Sequence, residues 1–175
     1  MAHFAELDID NNVLRVLKAC DTDIANNGGE WSDEAAAHFE TVVPFSATGI
    51  KWIQTSKNTK ANVHQLGGTP MRKNYAGVGG KYDPSADGFY ASQPYASWTL
   101  NATTFIWDPP TTEPVDETKS ISWNEDIQKW VGVNLEEETD GENAGKCASF
   151  IWNQDTNSWD ANGFIEIEYD PSLSS

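Results

Sequence analysis

The chain has 175 residues, enough for one domain or for one domain with an appendage. Its formal net charge of −16 repels phosphate groups and anionic lipid, so we expect neither nucleic acid nor a membrane as a partner. Residues 1–110 carry 8 basic and 12 acidic side chains, a balance of −4, whereas residues 111–175 carry 3 and 15, a balance of −12. Eight Trp, five Tyr and seven Phe each bury a large area, which favours a small β-rich protein.

The N-terminus and the two cysteines are typical of a protein made and folded in a cytoplasm. "MAHFAELDID" has neither the basic region nor the apolar region of a signal peptide. No apolar run in the sequence approaches the roughly 18 residues that a membrane span needs. Cys20 and Cys147 lie far apart and outside any CxxC pattern, so two reduced, partly buried thiols are expected rather than a disulfide or a zinc site.

The first half of the chain alternates strand signals with one helix signal. "HFAELDIDNNVLRVLKAC" predicts two strands around a tight turn at residues 8–12, because Asp and Asn tolerate left-handed backbone. "DTDIANNGGE" is typical of a polar loop. Ser32 as N-cap, with acidic residues after it and an Ala-rich body, predicts a helix over about residues 33–42 that ends before Pro44. "GIKWIQTSKNT" alternates in the manner of a strand.

The second half consists of short aromatic segments separated by Gly and Pro. "WDPPTTEPVDETKS" (107–120) has the composition of an extended linker and marks the clearest boundary. The acidic stretch "NLEEETDGENAGK" predicts a loop, and the terminal "FIEIEY" predicts a strand. We therefore expect a β-rich core module with one helix over residues 1–110. Residues 111–175 are predicted to form a Pro-rich acidic linker and two further aromatic hairpins.

Four segments place two aromatic residues seven positions apart. Turn-forming Asp, Asn, Pro or Gly residues lie between the rings, which indicates a hairpin whose two rings face each other across the stem. The predicted pairs are Tyr82 with Phe89, Trp98 with Phe105, Trp123 with Trp130, and Trp152 with Trp159. The fold class that follows is mainly β: a series of antiparallel hairpins forming a small sandwich or open barrel, with one short helix over about residues 33–42.

No catalytic or metal-binding motif accompanies these elements. The cysteines and the three histidines lie outside any nucleophile motif, and paired acids such as Glu125 and Asp126 are expected on a solvated surface. Asp8, Asp10 and Asn12 alternate as in a calcium loop, but the Gly and the bidentate Glu of such a loop are missing. We therefore expect no enzyme, no catalytic residue, no cofactor and no bound metal.

The aromatic residues have two interpretations. Rings that face solvent can stack on sugars, whereas rings of a small β protein more commonly form its core, which is the interpretation we favour. Tyr82 and Phe89 are predicted to close a stem, and this places Tyr90 on the opposite face. The rings predicted to contact a partner are Tyr90, Tyr95 and Trp107.

An ordered series of motifs resembles a known group of proteins. The series comprises "MAHFAELDIDNNVLRV", "WIQTSKNT" with "NVHQLGG", "RKNYAGVGGKYD", "FYASQPYASWTLN", and "WDPP" followed by "SWNEDIQKW". It resembles small virion-associated proteins of tailed bacteriophages that infect cyanobacteria and related marine bacteria, and the resemblance covers most of residues 1–131. The segment "DTDIANNGGEWSDEAAAHFETVV" departs from the pattern of that group.

The resemblance implies a non-enzymatic virion structural accessory protein: a capsid decoration, neck or tail component that acts through protein–protein contacts. Its implied partners are other virion proteins, in multiple copies and with homo-oligomers as one option. The implied location is the virion, after synthesis in the host cytoplasm. The alternative is a host-receptor or glycan-binding module of a tail fibre that uses outward-facing aromatic residues. The charge of residues 111–175 adds the hypothesis that this part contacts a basic patch on a neighbouring virion protein.

Overall fold

The structure is a computed structural model that describes residues 2–166. It confirms a mainly β chain whose strands form several small antiparallel sheets rather than a closed barrel. Contacts divide the chain into two compact units. The first comprises the residues up to 94 together with 98–108, and the second comprises 95–97 and the residues from 109 on.

The described part of the first unit contains a three-stranded sheet and three two-stranded ladders. The sheet has the order β2-β1-β3, and each ladder pairs two strands that follow each other in sequence. The strands are β1 (His3–Leu7), β2 (Val13–Lys18), β3 (Lys51–Thr55), β4 (Thr59–Lys60), β5 (Val63–His64), β6 (Lys81–Asp83), β7 (Gly88–Tyr90), β8 (Thr99–Leu100) and β9 (Trp107–Asp108). The predicted turn at residues 8–12 joins β1 to β2.

The predicted helix is present, and a second short helix lies where a polar loop was expected. Helix α2 (Asp33–Val42) begins after Ser32, whose hydroxyl accepts a hydrogen bond from the Ala35 N–H at 2.9 Å. Helix α1 (Asp21–Asn26) has six residues and buries only Ile24. The expectation of a single helix is thus wrong, because one buried apolar residue in six gives no helical period to detect in the sequence.

Two apolar clusters hold the three-stranded sheet. On one face, Phe39 of α2 stacks on Phe4 at 4.4 Å between ring centroids and meets Trp52 edge-on at 5.0 Å. On the other face, Leu7 and Phe89 belong to a second cluster of buried residues. Successive side chains of a strand point to opposite faces of the sheet, so β1 and β3 contribute side chains to both clusters.

The described part of the second unit is a four-stranded meander with the order β10-β11-β12-β13. Its strands are β10 (Lys119–Asn124), β11 (Lys129–Asn134), β12 (Cys147–Asn153) and β13 (Ser158–Ile165). The predicted acidic loop joins β11 to β12 and contains one 3-10 turn, Gly141–Asn143. The predicted terminal strand 164–169 begins within β13, and its part from residue 167 lies outside the described residues.

Three of the four predicted ring pairs are confirmed. Tyr82 pairs with Phe89, Trp123 with Trp130, and Trp152 with Trp159, each directly across a ladder. The fourth prediction, Trp98 with Phe105, is wrong. The residues seven apart that pair in that hairpin are Leu100 and Trp107.

Candidate functional site

A groove of about 480 Å³ opens on the first unit and is lined mainly by apolar side chains. Four aromatic residues contribute to its lining: Tyr75, Trp98, Phe105 and Trp107. Ligand sites in proteins have volumes of roughly 300–1,000 Å³ and are lined in the same way. The groove thus has the volume and the lining of a site that binds a partner or a ligand.

Asn74 is the side chain that joins the segments around the groove. It is buried, and its amide group donates hydrogen bonds to the carbonyl oxygens of Phe89, Thr104 and Phe105 at 3.0–3.1 Å. Its carbonyl oxygen accepts one from the Ala61 N–H at 2.7 Å. Because these partners lie in three segments that are separate in sequence, one buried amide holds the segments around the groove together.

Thr59 forms two hydrogen bonds with the segment that leads to Tyr75. Its hydroxyl accepts a hydrogen bond from the Met71 N–H at 2.9 Å, and its carbonyl oxygen accepts one from the Tyr75 N–H at 2.9 Å. Both Met71 and Thr59 are buried. The backbone that carries Tyr75 is therefore anchored at two points and does not depend on the exposed ring.

The floor of the groove includes a residue with an unusual backbone. Phe105 is buried and has a φ of 55°, in the left-handed region that bulky residues avoid. Its N–H donates to the carbonyl oxygen of Asn101 at 2.8 Å, and its own carbonyl oxygen accepts from Asn74. These bonds hold a conformation that costs roughly 1–2 kcal/mol for an L-residue.

The rim of the groove combines exposed apolar and basic side chains. Tyr75 is 40% and Ile106 is 38% exposed, while Lys57 and Lys60 are exposed beside them. Partial burial raises the pKa of the Tyr75 phenol, so the ring is neutral at physiological pH. The groove can therefore take an apolar group and attract acidic groups that flank it.

The three aromatic residues predicted to contact a partner occupy different places. Trp107 lines the groove, and its indole N–H donates to the Ala91 carbonyl oxygen at 2.7 Å. Tyr90 is half-buried and packs edge-on against Phe105 at 5.9 Å and Trp107 at 6.2 Å between ring centroids. Tyr95 belongs to the second unit and is half-buried there.

The structure adds Tyr75, Trp98 and Ile106 to the groove, and the sequence analysis assigned none of them to it. Trp98 was interpreted as part of a hairpin stem, and Tyr75 lies in an irregular segment without periodicity. Two successive left-handed residues, Arg72 and Lys73, turn the chain just before Asn74 and Tyr75. A short "RKNYAG" segment between Pro and Gly residues was the available signal for an irregular, hydrogen-bonded turn.

In the second unit, the carboxylate of Glu125 accepts three hydrogen bonds. It accepts from the Ser97 N–H at 2.8 Å, from the Ser97 hydroxyl at 2.7 Å and from the Trp123 indole N–H at 2.8 Å. The hydrogen bonds from Ser97 and Trp123 lower the pKa of Glu125. This carboxylate holds the short segment 95–97 in place, so we assign it a structural role.

A metal-binding cluster and a membrane-spanning helix are both absent from the part of the chain that the structure describes. Residues 2–166 contain no group of three or more His, Cys, Asp or Glu side chains arranged to hold a metal ion. No helix within that range has the length and apolar character to cross a bilayer. Comparison with known proteins gave no match to a family model, to a curated protein or to a solved structure.

Proposed function

We propose that this chain is a non-enzymatic structural accessory protein of a bacteriophage virion, bound to head, neck or tail through protein–protein contacts. The aromatic groove of the first unit is the observation that carries the proposal. Its rim exposes Tyr75 and Ile106 beside two lysines. Exposed rings and aliphatic groups around a preformed concavity are typical of protein-binding sites, where they act as anchors for an inserted side chain.

The choice of a virion rests on the resemblance carried by the motifs of residues 1–131. The groove supports it, because four of these motifs contribute to its lining. "WIQTSKNT" contributes Lys57 and Thr59, and "WDPP" contributes Trp107. "RKNYAGVGGKYD" contributes Asn74 and Tyr75, and "FYASQPYASWTLN" contributes Trp98. The segments that carry the resemblance are thus the segments that build the binding surface.

A glycan-binding module of a tail fibre is the second candidate. The observation that favours it is the ring of Trp107 in the groove, since an indole face stacks on a sugar. Sugars also need several hydrogen-bonding side chains, and the groove is lined mainly by apolar ones. We therefore place the protein-binding function first.

The test is incorporation into virions of the phage that encodes the chain, with the gene deleted and supplied in trans. The double variant Tyr75→Ser with Ile106→Ser alters two exposed side chains of the rim. Ile9→Ser, at a residue that is 77% exposed and outside the groove, is the matched control. Copies per virion are counted by quantitative mass spectrometry, and their position is located by averaged electron cryo-microscopy.

We expect the control to enter virions at the wild-type level and the groove variant to fall at least tenfold, the effect of losing about 1.4 kcal/mol of binding free energy. Equal incorporation of the groove variant would overturn the proposal. Loss of glycan-array binding in that variant, with incorporation unchanged, would replace the proposal with the glycan candidate. A peptidoglycan-cleaving activity of the purified chain would exclude both.

A further inference from the structure

We infer that the groove takes an acidic aliphatic knob of a second copy of this chain, so that copies associate head to tail. The knob consists of residues 113–117 and Leu135, all in the second unit. The inference rests on the proposed function, since it names the protein that the groove binds. Both complementary surfaces belong to one sequence, and this is why the occupant assigned is a second copy.

Val115 forms the tip of the knob. Its side chain is 95% exposed, whereas the neighbouring Pro114 is buried. Asp116 closes the loop behind it: its carboxylate accepts from the Thr118 N–H at 3.0 Å and from the Thr118 hydroxyl at 2.6 Å, and it pairs with the Lys119 ammonium at 3.1 Å. The tip is therefore held in its exposed position before any partner arrives, which lowers the entropy cost of binding.

Leu135 widens the knob. It is 63% exposed, and its N–H donates to the Thr118 carbonyl oxygen at 3.0 Å, so it lies beside the loop that carries Val115. Glu117 lines two surface depressions, one together with Val115 and the other together with Leu135. Two exposed aliphatic side chains on one rigid loop cluster are what an apolar groove of about 480 Å³ can accept.

The charges of the two surfaces are opposite. Glu113, Glu117 and Glu136 are exposed around the aliphatic tip, whereas Lys57 and Lys60 are exposed at the rim of the groove. In a chain with a net charge of −16, two lysines at one apolar groove are a local exception. This arrangement steers an acidic segment to the groove and keeps the second units of two copies apart.

The geometry is heterologous, since the groove of one copy meets the knob of the next. A row of copies keeps one groove free at one end and one knob free at the other. Such contacts produce rings when they close and filaments when they do not.

The experiment measures the mass of the purified full chain by analytical ultracentrifugation over a concentration series. The knob variant is Val115→Ser, and the groove variant is Lys57→Glu with Lys60→Glu. All three positions are exposed, so the fold is expected to survive, and far-UV circular dichroism checks this. Ile9→Ser, at a residue that is 77% exposed and distant in sequence from both surfaces, is the control.

We expect wild type and control to form dimers and larger species in low-salt buffer and to dissociate at about 0.5 M NaCl, where screening is strong. Each variant alone should stay monomeric, with association weakened at least tenfold. A mixture of the two variants should give a one-to-one heterodimer and nothing larger, because only one intact groove and one intact knob remain. The wild-type species larger than a dimer distinguish this assembly from an isologous dimer, which closes at two copies.

A monomeric wild type at every concentration would overturn the inference, as would association that both variants retain. These failures are distinguishable from failure of the proposed function. The wild type could be monomeric while the Tyr75→Ser with Ile106→Ser variant is still excluded from virions. In that case the groove binds a different virion protein, and only the inference of self-association is overturned. If that variant enters virions normally and the wild type still associates through groove and knob, the self-association stands without the virion role.

Discussion

Glu6 is a charged side chain in the interior of the first unit's sheet. It is buried, its carboxylate accepts hydrogen bonds from the Arg15 guanidinium and the Ser46 N–H, and a Cβ at Gly49 would overlap its side chain. Burial raises the pKa of Glu6, but the hydrogen bonds from Arg15 and Ser46 outweigh it and hold the pKa below its ordinary value. The ionised form thus ties β1 to β2 and to the loop before β3.

This arrangement makes part of the stability pH-dependent. Because the pKa of Glu6 is lowered on folding, its contribution is complete above the unfolded-state pKa of about 4.3 and is lost as the pH falls through the folded pKa. We expect Glu6→Gln to lower the free energy of unfolding at pH 7 by about 1–2 kcal/mol, the smaller figures reflecting the partly exposed Arg15. Urea unfolding should show the difference shrinking below pH 4, whereas Glu30→Gln, at an exposed residue, should change little. A difference that is constant with pH would contradict this role.

The two cysteines differ in reactivity for reasons visible at single residues. Cys20 is exposed, and hydrogen bonds from the backbone N–H groups of Asp23 and Thr22 lower the pKa of its thiol. Cys147 is fully buried. A thiol reagent at pH 7 should label Cys20 rapidly and Cys147 only on unfolding. Mass spectrometry of the labelled peptides, with Cys20→Ser as the control, checks this, and fast labelling of native Cys147 would contradict it.

At the scale of elements, four hairpins repeat one design. In each hairpin, the first residue of the pair seven positions apart is followed directly by an Asp or Asn. The side chain of that Asp or Asn accepts hydrogen bonds from backbone N–H groups two or three residues later, and the residue four positions after it has a left-handed backbone. The Asp or Asn residues are Asp83, Asn101, Asn124 and Asn153. The left-handed residues are Asp87, Phe105, Gln128 and Asn157. The position of the Asp or Asn therefore sets which residues pair.

The left-handed position offers a direct test of this design. Gln128 has a φ of 49°, where a side chain is strained, so Gln128→Gly should stabilise the chain by about 0.5–1 kcal/mol. Asn157→Gly should gain less, because Asn tolerates this conformation. Thermal unfolding checks both. Asp126→Gly, in the same loop but outside the left-handed region, is the control and should destabilise; equal effects of the two Gly variants of that loop would contradict the design.

The same design explains what the sequence could and could not predict. Aromatic spacing identified three stems correctly because the first ring of each pair directly precedes the Asp or Asn. The second ring directly follows the residue that pairs with that Asp or Asn. It failed for Trp98 and Phe105 because Asn101 follows Leu100, and this places Leu100 opposite Trp107. The position of the Asn, read before the rings, would have given the correct pair.

The groove was beyond sequence reasoning for a different reason. Its lining comes from segments around residues 57–60, 74–75 and 91–107, which no local pattern connects. They are joined by the buried amide of Asn74, and only the folded chain shows which carbonyl oxygens that amide reaches. Trp107 was predicted as a contact residue from its aromatic character, which carries no information about the neighbours that shape a cavity.

For the whole molecule, charge acts in opposite directions on folding and on association. Residues 111–175 carry a balance of −12, and their mutual repulsion destabilises a compact second unit. The same charge steers the acidic knob toward a basic groove. Salt screens both effects, since the Debye length falls from roughly 10 Å at 0.1 M to 3 Å at 1 M. The protein should therefore become more stable and less associated as the ionic strength rises.

The edge-to-face indole pairs of the second unit allow the folding half of this prediction to be measured. The ring centroids lie 5.3 Å apart for Trp123 and Trp130 and 5.1 Å apart for Trp152 and Trp159, close enough to couple their electronic transitions in circular dichroism. In dilute protein, the midpoint for thermal loss of this signal should rise with NaCl. Relief of about 1 kcal/mol of repulsion corresponds to roughly 4–8 °C for a unit of this size.

A variant whose exposed acidic loop is neutralised is the comparison for the wild type in this salt series. Glu136→Gln, Glu137→Gln and Glu138→Gln together remove three negative charges from exposed positions without changing side-chain size. At low salt this triple variant should melt above the wild type, because less repulsion remains to be screened; at 1 M NaCl the two midpoints should converge. Parallel midpoints at all salt concentrations would show that repulsion among the acids does not limit the stability of the second unit, and the acidity would then serve association alone.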